Sequence, residues 1–98
     1  MPTTVQEPQT MEDLSQYVNE VLCDQNELVL GVFEFTERTL VRNGRKCGKY
    51  FCLHGPRAVK FSAIWETERN TILFYGPTGE RTAKVQLASN PSWETAAA

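Results

Sequence analysis

The chain is poor in the residues that build covalent or metal frameworks: its 98 residues include three cysteines and one histidine. So sparse and odd a cysteine set cannot make the disulfide scaffold of a small secreted domain, and it fits a reducing compartment. Zinc is the obvious use for Cys23, Cys47, Cys52 and His54. Structural zinc sites, however, take short Cys-x-x-Cys knuckles, whereas Cys47 and Cys52 stand five apart and Cys23 lies far upstream. No metal or other cofactor is expected. Apolar runs of the roughly 18–20 residues that a membrane span needs are also missing. The opening MPTTVQEPQT has neither the basic start nor the apolar core of a signal peptide. A cytoplasmic protein with no membrane association is the expectation.

Catalytic signatures are equally scarce. Neither a Gly-x-Gly-x-x-Gly run nor a Gly-Lys-Ser/Thr phosphate loop occurs, and there is no Gly-x-Ser-x-Gly elbow. Glu34 with Glu37 and Glu66 with Glu68 are closely spaced carboxylates, but close spacing does not raise a pKa without burial. Cys52 and His54 would share one face of an extended strand, and a thiolate–imidazole pair or metal site there is the remaining chemical alternative. No third, orienting group stands at a telling spacing. A non-enzymatic protein with no catalytic residue is therefore expected.

What the chain does contain is a change of period. Met11, Leu14, Tyr17, Val18, Val21 and Leu22 recur at the spacing of one helical face, with Glu12, Asp13, Gln16, Asn19 and Glu20 on the other. Thr10 is placed to cap this helix, with Asp13 reaching back, and Asn26 to close it in a left-handed conformation. From Glu27 onward the period falls to two and β-branched and aromatic residues take over. Strands are predicted at 28–35, 39–42, 45–53, 58–66, 71–75 and 81–87. Asn43-Gly44 is the clearest two-residue hairpin turn, and Gly48 is placed to permit a bulge. The expected fold is α+β: an N-terminal amphipathic helix packed on a five- to six-stranded antiparallel meander. One domain would occupy 10–87, between a disordered arm at 1–9 and a flexible tail at 88–98. Its core would draw on Leu14, Val18, Val21, Leu22, Leu30, Val32, Val59, Phe61, Trp65, Ile72, Phe74, Val85 and Leu87.

Charge is sorted along the chain. Residues 1–37 hold eight acids and no Lys or Arg, while residues 38–61 hold seven bases and no acid, although the whole chain carries only −2. Arg38, Arg42, Arg45, Lys46, Lys49 and Arg57, with Tyr50 as a stacking ring, are the candidate anion- or nucleic-acid-binding residues. Arg42 and Arg45 would face each other beside the hairpin turn, an unfavourable like-charge pair that an anion would relieve. An acidic helix near a basic hairpin would instead neutralise it within the molecule or across a dimer.

Segment 57–61, Arg-Ala-Val-Lys-Phe, resembles the docking segment of protein phosphatase-1 regulators. The resemblance implies strand addition to a partner's sheet, while Val59 and Phe61 also read as core positions. With strand 28–35 apolar on both faces, the leading expectation is a binding or regulatory module acting through a protein partner or self-association as a homo-oligomer. Nucleic-acid or polyanion binding by the basic hairpin 38–60 is the alternative.

Overall fold

The computed structural model describes residues 8–93, and the greater part of the expected N-terminal arm lies outside them. Helix α1 runs Met11–Gln25. Its first turn is held as the sequence implies: the Thr10 hydroxyl accepts from the Asp13 amide at 3.0 Å, and the Asp13 carboxylate accepts from the Gln9 amide at 3.2 Å. Glu12 and Asp13 also stand at the positive end of the helix dipole. The exit differs from expectation. Asn26 keeps a negative φ and donates its side-chain amide to Leu22 O, while Glu27 takes the left-handed conformation at φ 57. The Leu28 amide then reaches Cys23 O at 2.8 Å and the Glu27 amide reaches Asp24 O at 3.4 Å. These two bonds satisfy carbonyls that the helix end would otherwise leave open.

Five strands follow in sequence order as one antiparallel sheet: β1 Glu34–Arg42, β2 Arg45–His54, β3 Lys60–Glu66, β4 Thr71–Tyr75 and β5 Arg81–Gln86. The fold is thus one helix on a five-stranded meander, and no helix among the described residues is long and apolar enough to cross a membrane. Asn43 and Gly44 have φ of 53° and 76°, the positive pair that a tight hairpin turn requires. Cys47 bulges out of the β1–β2 ladder, because Leu40 pairs with Gly48 and Val41 with Lys46.

The predicted strand 28–35 is the main correction. Residues 29–32 form a turn in which the Val32 amide reaches Val29 O at 3.3 Å with Gly31 at φ 87, and the first strand starts only at Glu34 and runs unbroken to Arg42. Leu30 and Val32, assigned above to the core, are 49% and 65% exposed. Phe51 and Leu53 take their place at 0% and 1%. The cause is register: Phe35 pairs with Leu53, Leu53 with Phe61, Phe51 with Ala63 and Ala63 with Phe74, so this set points to one side of the sheet. Helix α1 lays Leu14, Val18 and Leu22 on that side, over β2 and β3.

Burying the large side chains of Trp65, Phe51, Phe74, Leu14 and Leu22 stabilises each by roughly 1.5–3 kcal/mol. The expected tail is packed as far as residue 93, and its last five residues lie outside the described ones. Ser92 bridges to Thr10, and Trp93 lies against Trp65 with ring centroids 5.3 Å apart. In the docking-like segment, Phe61 is buried and Val59 packs on the core, so neither apolar anchor is presented to a partner.

A candidate binding face on the uncovered side of the sheet

Because α1 covers one side, the alternate residues of every strand point away from it. Register turns these into rows that cross the sheet. One row is Arg38, Tyr50, Ile64, Leu73 and Lys84, contributed in order by β1 to β5. A second is Thr36, Cys52, Ser62, Tyr75 and Arg81, and a shorter third is Glu34, His54 and Lys60. Arg42 and Arg45 pair on the same side at the hairpin tip, beyond the end of β3.

The centre of this face is apolar and aromatic and its margins are cationic. Tyr50, Ile64, Leu73 and Tyr75 are half-buried, held by their strand neighbours with part of each surface open. Arg38 lies over the Tyr50 ring, its guanidinium carbon 5.6 Å from the centroid. Around them stand the exposed cations Arg38, Arg42, Arg45, Lys60, Arg81 and Lys84, against the carboxylates Glu34 and Glu66. On the other side of the molecule α1 carries Glu12, Asp13, Glu20 and Asp24 and no Lys or Arg. The charge sorted along the sequence is therefore sorted again in space in part: α1 is wholly acidic, and six exposed bases outnumber Glu34 and Glu66 on the open sheet face.

The structure divides the seven residues singled out from sequence. Arg38, Tyr50, Arg42 and Arg45 share the open face. Lys49 points to the helix side, where it forms an ion pair with Glu37, whose carboxylate also accepts from Ser15 Oγ at 2.8 Å. Lys46, displaced by the bulge, sits over the Trp93 ring at 5.1 Å, again on the helix side. Arg57 lies at φ 59 in the β2–β3 connection, at the end of β2 opposite the hairpin tip. The seven candidates did not include Lys60, which alternation sets on the non-core face of its strand, nor Ile64, Leu73, Tyr75, Arg81 and Lys84. Their alternation within β3, β4 and β5 was visible, but their common row was not.

Two hollows open on this side. One of about 340 Å³ is lined by Thr36, Arg38, Tyr50, Cys52, His54 and Lys60 among others. A larger groove of about 830 Å³ runs under the overhanging hairpin, between Arg42 and Arg45 and the carboxylates Glu66 and Glu68, and it meets the face at Leu40 and Ile64. The Cys52–His54 pair does lie on one side of β2, as the spacing requires. His54 Nε2, however, is engaged by Thr36 Oγ1 at 3.2 Å, and among the described residues no hydrogen bond joins the ring to Cys52. Cys52 is buried and unpaired, as is Cys23, whose thiol pKa is pushed up by burial. Among the described residues no group of three or more His, Cys, Asp or Glu side chains is placed to hold a metal ion. No protein-family model, curated protein or solved structure matches the chain.

Proposed function

We propose that the protein is a binding module without chemistry of its own, and that its working surface is the uncovered face of the sheet, which takes an anionic partner. One observation carries this: six exposed cations, Arg38, Arg42, Arg45, Lys60, Arg81 and Lys84, converge on a face that also holds half-open tyrosines and that α1 leaves uncovered, while Arg57 and Arg69 stand apart in connecting turns. Intramolecular neutralisation accounts for Lys49 alone, since the Lys49–Glu37 contact is the one ion pair among the described residues. The three free cysteines accord with a reducing, cytoplasmic setting.

Retention on a heparin column tests the surface, because elution then follows the number of anions that the protein contacts. The parent chain should be held at low salt, and the double variant Arg38→Glu with Lys84→Glu should elute at clearly lower salt. Arg57→Glu, at the far end of β2, should leave elution nearly unchanged. A parent that flows through, or an Arg57 variant that loses as much as the face variant, would reject the assignment.

Self-association through β1 is a second reading, favoured by a different observation. β1 is an edge strand, and Val41 on it and Val32 just before it are 62% and 65% exposed. Pairing β1 antiparallel with the β1 of a second copy about Arg38 would set Glu34 opposite Arg42 and Phe35 opposite the open Val41, contacts that must outweigh the like-charge pair of Arg38 with its own copy at the centre. Light scattering behind a sizing column should then report a dimer that Val41→Lys converts to monomer. A monomer at all concentrations of the parent would end this reading and leave the first untouched.

A further inference from the structure

We infer that the anionic partner is a single-stranded nucleic acid lying across the strands, with bases on Tyr50 and Tyr75 and phosphates at the flanking cations. This rests on the assignment of the uncovered face made above and narrows its partner to one class.

The floor of the face supplies the first argument. Tyr50, Ile64 and Leu73 are neighbours in one row, and Tyr75 follows Leu73 by two residues on β4, in the adjoining row. Being half-buried, these side chains are already held by their neighbours, so little rotamer freedom is lost when a flat ring settles on them. Stacking of a base on an aromatic ring needs no particular base and strengthens binding roughly ten- to hundredfold per base. An acidic peptide would engage the cations and leave Tyr75 and Tyr50 without a stacking partner of its own, whereas a base takes the place of the Arg38 guanidinium over Tyr50 as Arg38 turns to a phosphate.

Spacing supplies the second. Tyr50 and Tyr75 are two strands and one row apart, which strand geometry places at roughly 12 Å between backbone positions. Stacked bases of a duplex lie far closer together and are turned inward, so both tyrosines can be used only by a strand whose bases are splayed. The face is also wide enough: from Arg38 on β1 to Lys84 on β5 there are four strand intervals, roughly 19 Å, the span of a few extended nucleotides.

The third is electrostatic. Cations stand at both ends of the central row, Arg38 on one side and Lys84 on the other, with Arg81 at the end of the adjoining row and Lys60 two rows along, so a backbone crossing the sheet meets positive charge where it enters and leaves. The acids of α1 repel the same backbone from the opposite side of the molecule, confining the strand to this face. Thr36, His54 and Ser62 fringe the floor with donors and acceptors for base edges.

Fluorescence anisotropy with a labelled oligothymidylate of about twelve nucleotides, titrated with the full chain at two potassium chloride concentrations, tests the inference. A labelled polyglutamate of equal length and a duplex of the same length serve as parallel probes. The oligothymidylate should bind with Kd on the order of 10 μM at low salt, tighter than either comparison probe, and Lys84→Glu should lower the log–log salt slope by roughly 0.7. Tyr50→Leu and Tyr75→Leu should each weaken it roughly tenfold, whereas Tyr50→Phe, which keeps the ring, should not. Circular dichroism of each variant establishes that the fold is kept. Equal binding of polyglutamate or duplex, or indifference to both leucine variants, overturns the nucleic-acid assignment while the anionic face stands. Failure of every anionic probe, heparin included, overturns both.

Discussion

Asn70→Ala is expected to cost about 3–5 kcal/mol, a large part of the roughly 5–15 kcal/mol that a small domain has in total. Asn70 stands in the β3–β4 turn at φ 49, 9% exposed, and its side chain is used at both ends. Its Oδ1 accepts the Trp65 indole N–H at 3.0 Å, and its Nδ2 donates to Ser89 O at 2.9 Å and Leu87 O at 3.4 Å. Its own carbonyl accepts from the Leu87 amide at 3.0 Å. One residue thus ties the turn, the largest buried ring and the segment leaving β5. Alanine would leave the buried indole N–H without a partner, at about 1–3 kcal/mol. The left-handed backbone, which asparagine tolerates better than alanine, adds about 1 kcal/mol, and the freed Leu87 and Ser89 carbonyls add the rest. Asn70→Gly should recover the backbone part alone. Trp65→Phe combined with Asn70→Gly should cost less than the two singles together, since the indole N–H is then gone. Urea unfolding followed by far-ultraviolet circular dichroism measures each value. An Asn70→Ala chain within about 1 kcal/mol of the parent would show that Trp65 does not depend on this bond.

The importance of Asn70 could not be read from the sequence, where Arg69-Asn70 is a turn signal like any other. Its partners lie five residues back and up to nineteen ahead, and only folding brings them together. Helix α1 was legible because its determinants are local: the apolar period, the Thr10 cap and the Asp13 return all lie within a few residues. Asn43-Gly44 was legible for the same reason. Segment 28–35 misled because its composition fits a buried strand, while the left-handed closure at Glu27 and the turn at Gly31 throw Val29, Leu30 and Val32 outward. Strand alternation already implied that the basic residues along 38–60 could not all share one face, but not which of them would. Alternation, with the shift at Cys47, sends Lys46 and Lys49 to the helix side and leaves Arg38, Arg42 and Arg45 on the other. The row from Arg38 to Lys84 draws one residue from each of five strands, and four connections and two register shifts lie between its members. No window along the chain contains it.

Gly48→Ala should be nearly as damaging as the loss of Asn70, for a reason of space rather than hydrogen bonding. A Cβ built at position 48 would lie 2.2 Å from the Trp65 carbonyl oxygen and 3.3 Å from its carbon, both backbone atoms that no rotamer change can move. Real contacts of this kind stay above about 3 Å, so β2 must lift from β3 by something like an ångström. The lift would fall where the sheet is most tightly pinned. Gly48 pairs with both Leu40 and Glu66, and the adjoining Cys47 carbonyl accepts from the Thr67 amide and the Thr67 hydroxyl at 3.1 Å each. Overpacking of this sort costs typically 1–3 kcal/mol, and the strained Cys47–Thr67 bonds bring the expected loss to about 3 kcal/mol. Gly44→Ala is the control: a Cβ there meets nothing within 4 Å, and φ 76 alone should cost about 1 kcal/mol. Hydrogen exchange reads the difference locally, because the Thr67 amide should lose protection in Gly48→Ala and keep it in Gly44→Ala. Those Cys47 bonds also tie the base of the hairpin that carries Arg42 and Arg45 to the β3–β4 turn. A Gly48→Ala chain as stable as the parent, with Thr67 still protected, would mean that the hairpin hinges freely at the bulge and that its two arginines are not held in a fixed place beside the tyrosine row.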